Sequence, residues 1–392
     1  MSDNAHTAED LRQMQALPLE AKIILTKQRI KAWYDAWVRF EIFDEKTEKT
    51  RFVTFDTREQ KEPPMNETEY VVSAVSGWVY LSFSGGKDST VLKHIIDSMY
   101  DDVPSLFVNT GLEYPEIQRF AMSQKNVVTV RPAMRFDEVI KKYGYPVGSK
   151  ETASKIEFGR KALDSGDTYY YKWYVEGKRI NSKTGEEYTF MPLADRFKPL
   201  FDAREIMVSQ RCCSVMKKKP SEIYARKTGR KVIVGTMADE SKMRRLHWLK
   251  EGCNAFDNKK PTSKPLSFWT EQDILHYIKK YNVSYCSVYG DIVIDFNDGE
   301  PEEQMNLVDL LGAYEPSDRL KTTGYDRTGC IFCMFGITQD GCPNRFQRLK
   351  KTHPRQYEYC ICGGEYVDGK WQPSKAGLGL GKVLDFIGVK YD

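Results

Sequence analysis

Apolar positions between residues 8 and 40 recur at helical spacing. Leu17, Leu19, Ile23, Ile24, Ile30, Trp33, Trp37 and Phe40 fall on one broad face, which predicts a helical start to the chain. Residues 41–70 are charged and contain proline, and read as a loop or small hairpin. From Val71 the period changes. Trp78-Val79-Tyr80-Leu81 is a short β-prone apolar run, and Val91-Leu92-Lys93-His94-Ile95-Ile96 returns to helical spacing. A strand over Val103–Val108, a helix over 115–124 and strands at Val127–Val130 and Val232–Val234 continue the alternation. Strands alternating with helices predict an α/β fold with a doubly wound, mostly parallel sheet. Such sheets bind ligands at the carboxyl ends of their strands. That expectation puts residues 84–89 and the turn Asn109-Thr110-Gly111 with Glu113 on one rim.

The alternation breaks twice. Residues 143–200 carry Tyr169-Tyr170-Tyr171, Trp173-Tyr174 and Tyr188-Thr189-Phe190 around a turn at Asn181–Glu187, and predict a surface hairpin inserted between core elements. Its aromatics stand among Lys172, Lys178, Arg179 and Lys183. They can pair across strands, or stack bases beside phosphate-binding cations; cross-strand pairing is the simpler reading. An amphipathic helix follows over 270–281, then an acidic stretch over 290–318 with a short apolar segment at Leu307–Leu311. Glycines at 377–381 are expected to cap a final element. The expected organisation is an N-terminal helical segment and linker over 1–70, a nucleotide-binding domain over 71–285 with the 143–200 insertion, and a Cys-rich region over 286–392.

Length and charge narrow the function classes. A chain of 392 residues holds two domains, or one large domain with insertions. No apolar run approaches the roughly 18 residues that a membrane span needs, and the polar, acidic Met1–Asp10 is not a signal peptide, so a cytoplasmic protein is expected. The 59 basic and 55 acidic residues nearly balance, which does not on its own mark a strong nucleic-acid binder. Local basic runs, such as Lys217-Lys218-Lys219 and Arg244-Arg245, read first as solvated faces.

The richest segment is Ser82-Phe83-Ser84-Gly85-Gly86-Lys87-Asp88-Ser89-Thr90. It joins a strand to a helix. Backbone N–H groups at a helix N-terminus carry partial positive charge and bind phosphate. Gly85 and Gly86 permit close backbone approach and positive φ, Lys87 adds a cation, and Ser84 and Ser89 add hydroxyls. The spacing is not that of a Walker A loop, which needs Gly, four residues, then Gly-Lys-Ser/Thr.

The nine cysteines form a second constellation. Cys212 and Cys213 are adjacent, Cys330 and Cys333 form C-x-x-C, and Cys360 and Cys362 form C-x-C; Cys253, Cys286 and Cys342 stand alone. Clustering of this kind in a cytoplasmic chain points to metal or redox chemistry rather than structural disulfides. Cys212, Cys213, Cys330 and Cys333 offer the four thiolates of an iron–sulfur cube. Cys330, Cys333, Cys360 and Cys362 are the alternative set, for zinc.

The glycine-rich loop resembles the PP-loop of the N-type ATP pyrophosphatases and of the adenylyl-sulfate (APS) and phosphoadenylyl-sulfate (PAPS) reductases. Pro265-Leu266-Ser267-Phe268-Trp269-Thr270-Glu271-Gln272-Asp273-Ile274, Gly324-Tyr325 before Gly329-Cys330, and the segment Gly235–Arg245 resemble other parts of that superfamily over roughly residues 75–345. Thr328–Gly336 followed by Pro343-Asn344-Arg345-Phe346-Gln347-Arg348 is similar to the PAPS-reductase-family proteins of bacteria and phages, and more distantly to the sulfurtransferase of DNA phosphorothioation.

The resemblance implies an adenine nucleotide alpha-hydrolase-like fold and a nucleotide site at Ser84, Gly85, Gly86, Lys87, Asp88, Ser89, Asn109, Thr110, Gly111, Glu113, Gly235, Arg244 and Arg245. The bound nucleotide is ATP or APS/PAPS with Mg2+, and Asp88 is a candidate water-mediated ligand of the metal. A 4Fe–4S cluster sits on Cys212, Cys213, Cys330 and Cys333, with Arg211 and Lys217–Lys219 compensating its charge. Lys87 and Asp88, with a sulfur-carrying Cys360 or Cys362, are the expected catalytic groups. The implied activity is a nucleotide-dependent sulfurtransferase or PAPS-reductase-like enzyme. The C-terminal Glu-Cys-Gly-Leu-His type motif of the assimilatory reductases is missing, which counts against a true reductase that releases sulfite. A nucleic-acid-associated modification or defence protein with a nucleotide-sensing site is the other alternative. Expected partners are a sulfur donor or reductant protein, a tRNA or DNA acceptor, and a second copy or partner protein, with no membrane.

Overall fold

The structure, a computed structural model, describes residues 6–181, 184–295 and 318–392. The acidic segment expected at 290–318, including Leu307–Leu311, lies almost wholly outside the described residues, as does Lys183. The chain divides into two compact units. The first comprises residues 1–109, 114–130 and 221–328, and the second residues 110–113, 131–220 and 329–392. This division differs from the three expected segments: residues 1–70 contribute to the core of the first unit, and the 143–200 insertion belongs with the C-terminal region.

The first unit opens with helices α1 (Ala8–Gln15) and α2 (Leu19–Ala36). The expected helix to residue 40 stops at Ala36, because Trp37-Val38-Arg39-Phe40-Glu41-Ile42 alternates and is β-prone. These residues begin strand β1 (Trp37–Asp44), which pairs antiparallel with β2 (Lys49–Asp56) and β3 (Glu69–Ser76). Val38, Phe40 and Ile42 are buried on one face of that small sheet.

The main sheet has six strands. At its centre lies β4 (Val79–Phe83), with β5 (Ser105–Val108) and then β6 (Val127–Val130) on one side, all parallel. Strand Lys231–Val234 pairs parallel with β4 on the other side, followed by the short strands Thr262–Ser263 and Asn254–Ala255. Helices α3 (Lys87–Asp97) and α4 (Pro115–Ser123) connect the first three parallel strands. The strand order reverses between β4 and Lys231–Val234. This is the switch point at which doubly wound sheets open a crevice at their carboxyl ends, and the Ser84–Ser89 loop leaves β4 there.

One apolar core runs through this unit, including Ile30, Trp33, Leu81, Val91, Ile95, Ile233, Phe268 and Trp269. Full burial of such a side chain contributes about 1.5–3 kcal/mol. The Pro265–Ile274 motif has a structural task here. Trp269 Nε1 donates to Thr26 Oγ1 at 2.8 Å, and Lys22 pairs with Asp273 at 2.7 Å, so the motif fastens α2 to the sheet. Thr270 caps helix Glu271–Tyr281 as expected, accepting from the Asp273 N–H while Asp273 accepts from the Thr270 N–H.

The second unit is mostly helical. Helices Phe136–Tyr143 and Lys150–Asp164 precede the short helix Thr168–Tyr171, a π turn over Lys172–Glu176 and a hairpin of strands Lys178–Ile180 and Glu187–Thr189. The predicted insertion is therefore only part hairpin. Tyr169–Tyr171, Trp173 and Tyr174 ride on helical turns, where neighbouring rings stack along the surface, as Trp173 and Tyr174 do at 5.3 Å. Strand Met334–Phe335 pairs parallel with Val147–Gly148. Helices Arg345–Thr352, Pro354–Ile361 and Leu380–Phe386 close the unit, the last capped by Gly379 in the left-handed region. No helix among the described residues is long and apolar enough to cross a membrane.

Candidate nucleotide site and cysteine cluster

In the first unit the loop after β4 is built to leave its amides open. Gly85 has φ +74°, which favours glycine, and a Cβ there would crowd α4 at 3.1 Å from Ile117 Cγ2 and 3.2 Å from Ala121 Cβ. Gly86 is the N-cap of α3 with no side-chain cap. The Ser84 and Ser89 hydroxyls lie 3.0 Å apart, and Ser89 Oγ donates to Gly86 O at 2.9 Å. The Gly86 N–H reaches Ser84 Oγ at 3.3 Å and the Lys87 N–H reaches Tyr289 Oη at 3.2 Å, both long bonds. Tyr289 Oη in turn lies 2.6 Å from Thr328 Oγ1.

Lys87 is buried, with its ammonium 2.5 Å from the Asp326 carbonyl and 3.0 Å from Glu271. The Pro265–Ile274 motif thus reaches the site through Glu271. Next to Lys87, Asp88 has a buried Oδ1 with no hydrogen-bond partner. Burial pushes its carboxyl above the usual value, against the pull of Lys87, Arg327 and Arg244. The next strand closes in at Gly235, where a Cβ would stand 3.3 Å from Ser89 Cα. Beyond it, Ser241 caps helix Lys242–Glu251, which carries Arg244 and Arg245. Arg244 pairs with Glu240, and Arg327 reaches the same carboxylate at 3.5 Å. Arg245 is exposed one position along the helix. Asn109 is buried at the end of β5.

Three groups at this site were not singled out by the sequence. Thr328 opens the quoted Thr328–Gly336 segment and Arg327 precedes it, but the resemblance gave neither a role. Tyr289 sits in the short apolar run Ser287-Val288-Tyr289, and nothing in that pattern distinguishes it from core.

The second unit gathers the other set. Thr110 donates its hydroxyl to Glu113 at 2.7 Å and closes the turn through Gly111, whose φ is +73°. Glu113 acts electrostatically on Lys217 and Cys330. Cys212 and Cys213 lead into a π turn over Ser214–Lys218, a helical irregularity frequent at functional sites. All four expected cysteines interact. Burial raises Cys212, and Cys213, Cys330 and Cys333 raise it further. Burial brings Cys330 to about 11 against the opposing pull of Lys217. Burial pulls the Lys217 ammonium down, but Cys330 and Glu113 together outweigh it and raise it, and Lys217 hydrogen-bonds Cys330. Lys217 is therefore a cation at the thiols, and Arg345 acts on Cys333 as well. Arg211 faces Tyr143 and Glu157 instead.

Arg345, from the Pro343–Arg348 segment, braces the C-x-x-C loop. Its guanidinium donates to the Cys333 carbonyl at 3.1 Å and the Phe335 carbonyl at 2.9 Å, and grips Asp340 bidentately at 2.7 Å. Cys360 and Cys362 interact with each other. Cys360 is fully buried, its thiol donates to Tyr357 O at 3.3 Å, and burial holds it strongly protonated. Cys362 is exposed. Among the described residues, no three His, Cys, Asp or Glu side chains stand as a single metal ion would need them.

The chain is 35% identical over 114 residues to an uncharacterized protein of Methanocaldococcus jannaschii, a match covering 28% of either chain, so it spans little more than a quarter of that relative. It is also similar to the crystal structure of phosphoadenylyl-sulfate (PAPS) reductase from Candida auris in its phosphate complex, at 14% identity and a TM-score of 0.29, over 61% of this chain and 80% of that one. A family model, the phosphoadenosine phosphosulfate reductase domain, matches residues 79–184 and 186–335. That match covers well over half of the chain and takes in the β4 loop, Arg244, Arg327 and all four clustered cysteines, so the chain belongs to the phosphoadenosine phosphosulfate reductase family.

Proposed function

We propose that this chain is a nucleotide-dependent sulfurtransferase or sulfonucleotide-reductase-like enzyme. It binds ATP or an adenylyl sulfate at Ser84–Ser89 and holds a 4Fe–4S cluster on Cys212, Cys213, Cys330 and Cys333. The observation that carries this reading is the loop itself: two long, weak backbone bonds at Gly86 and Lys87, a buried Lys87 and the cations Arg244 and Arg327 within electrostatic range of Asp88.

A phosphate oxygen makes a stronger, charge-assisted bond to the Gly86 and Lys87 amides than Ser84 and Tyr289 hydroxyls do. With ATP, attack of an acceptor on the α-phosphorus breaks the bond to the β-phosphate oxygen. The leaving pyrophosphate gains charge where these amides and Lys87 can stabilise it. Magnesium, when bound, neutralises phosphate charge, and the unpartnered Asp88 Oδ1 is the group that would hold it or its water. Tyr289 and Thr328 hydroxyls supply further donors at the loop.

The donor set fits the cluster. Four thiols interact in one place, as the four ligands of a cube must. A single zinc would hold its sulfurs about 2.3 Å from one centre, whereas a cube spreads its ligands over four irons and so sets them farther apart. Two pairs of thiols from separate segments, Cys212-Cys213 and Cys330-x-x-Cys333, supply the four ligands that a cube takes. The zinc set through Cys360 finds no support, since Cys360 is buried against Tyr357. When bound, the cluster supplies electron storage or a fixed charge. Lys217 is positioned to balance that charge. Of the C-terminal pair, the exposed Cys362 is the candidate sulfur carrier.

The test is anaerobic incubation of cluster-intact protein with ATP, APS and PAPS, each alone, with nucleotide, pyrophosphate and sulfite quantified. ATP binding, with pyrophosphate released only when an acceptor is added, is the expected result for a sulfurtransferase. Sulfite release with a dithiol reductant identifies a reductase. No binding of any of the three overturns the proposal.

A further inference from the structure

The second unit contains a cavity of about 650 Å³ that neither the loop chemistry nor the cysteine cluster uses. Helices Phe136–Tyr143 and Lys150–Asp164 and the segment 204–211 form its walls. Its lining is cationic, with Lys142, Arg160, Lys161, Arg204, Arg211 and Lys370 against Glu157 and Asp164 alone. A concave surface with this imbalance selects anions.

Not every cation there is available. Arg160 is committed to structure, since its guanidinium donates to the carbonyls of Leu200, Phe201, Ala203 and Ile206 and so shapes the cavity wall. Lys370 donates to the Arg204 carbonyl at 2.7 Å, and Lys161 pairs with Glu157 at 2.9 Å. Arg204 holds Asp164 at 3.3 Å. Lys142 and Arg211 are less committed. Each stands 5.5 Å from the centre of the Tyr143 ring, and Arg211 approaches Glu157 only to 4.0 Å. Glu157 Oε2 is buried and has no hydrogen-bond partner, so the cavity also asks for a donor.

The combination is specific. An inorganic anion would satisfy Lys142 and Arg211 but offer no face to Tyr143, and an apolar ligand would leave the charges unmet. A nucleotide unit offers all three features: a phosphate for the cations, a π face for Tyr143, and ring or amino N–H groups for Glu157. The volume lies within the roughly 300–1,000 Å³ range of small-ligand sites.

We propose that this cavity binds a phosphate-bearing nucleotide unit, and that it is a second site independent of the Ser84–Ser89 loop. The unit belongs either to a free mononucleotide or to a single-stranded nucleic acid. The inference does not rest on the proposed catalytic reading, because every lining residue belongs to the second unit.

The experiment is fluorescence anisotropy of a labelled ten-nucleotide single-stranded RNA with the full-length protein, in a Lys87→Ala background that cripples the loop. Lys142→Glu and Arg211→Glu should each weaken binding about tenfold or more. Lys142→Gln and Arg211→Gln should weaken it less, and each should lower the slope of log affinity against log salt by about one. AMP at millimolar concentration identifies the source. If it displaces the RNA, a single nucleotide fills the site; if it does not, the site takes a strand. Circular dichroism and thermal melts of the Gln variants keep folding separate from binding, since Lys142 and Arg211 are both exposed. Equal RNA affinity in the Lys87→Ala parent and in all four variants built on it, or no RNA binding at low salt together with no AMP binding to that parent by calorimetry, overturns the inference.

Discussion

At the scale of single residues, Asp88 is the least comfortable group in the loop. Its Oδ1 is buried without a partner, and burial raises its carboxyl despite Lys87 and Arg327 nearby. A carboxyl raised on folding binds more protons in the folded state than in the unfolded one between the ordinary value near 4 and its raised value. Stability therefore falls as pH rises through that window, and above it the penalty is constant. Below the window both states are protonated and the penalty vanishes. Asp88→Asn should accordingly stabilise the free protein at neutral pH by about 1 kcal/mol, and the gain should fade as pH drops below the carboxylate range. With nucleotide and magnesium the order should reverse, the wild type gaining more ligand-induced stabilisation than the variant. Thermal melts across pH, with and without nucleotide, check both halves. A variant no more stable than the wild type at neutral pH would show that Asp88 is already compensated in the free protein.

At the scale of elements, the chain was legible where one local rule governs a segment. The strand over Val127–Val130, the loop between β4 and α3, and the Thr270 cap each follow from period, glycine or capping chemistry. Trp37 and Phe40 were misplaced on a helix because 3.6-residue and two-residue periods overlap over so short a run; pairing with β2 and β3 decides the strand. Tyr169–Tyr174 went the other way, read as strand and found on helical turns, since aromatic residues carry no helix signal of their own. Tyr289 was invisible as a site residue, because its role depends on a partner 202 positions away in sequence, whereas Lys217, expected beside Lys218 and Lys219 as a cluster cation, hydrogen-bonds Cys330, 113 positions on. The Pro343–Arg348 segment was visible as a motif but not as a device. Its Arg345 holds the C-x-x-C loop through two carbonyls and Asp340. Arg345→Ala should cost about 2–4 kcal/mol of stability, the range for breaking a partly buried, multiply bonded charge. It should also lower the iron retained per chain after anaerobic purification. Arg345→Lys should not restore retention, because an ammonium cannot serve Asp340 bidentately while bonding two carbonyls. Full retention in the Lys variant would mean that charge alone, not the planar fork, positions Cys333.

At the scale of the whole molecule, the two proposed centres draw on different units. The nucleotide loop and its cations Lys87, Arg244 and Arg327 belong to the first, while Cys212, Cys213, Cys330, Cys333 and Lys217 belong to the second. If each centre is held by its own unit, two variants should separate them. Cys330→Ser removes one of four ligands, and should lose most of the bound iron and the visible absorption of a cluster while changing ATP affinity less than about threefold. Lys87→Ala removes the loop's buried cation and should weaken ATP binding by about tenfold or more, yet keep iron content and absorption at wild-type levels. Iron analysis, absorption spectroscopy and calorimetry on both proteins test the four expectations together. Catalysis is the property that should not separate. A sulfur-transferring or reducing turnover needs the activated nucleotide and the sulfur chemistry in one cycle, so each variant should lose turnover whichever ligand it retains. Turnover surviving in Cys330→Ser at its wild-type rate would reduce the cysteine cluster to a structural fastening and leave the loop as the sole seat of the chemistry.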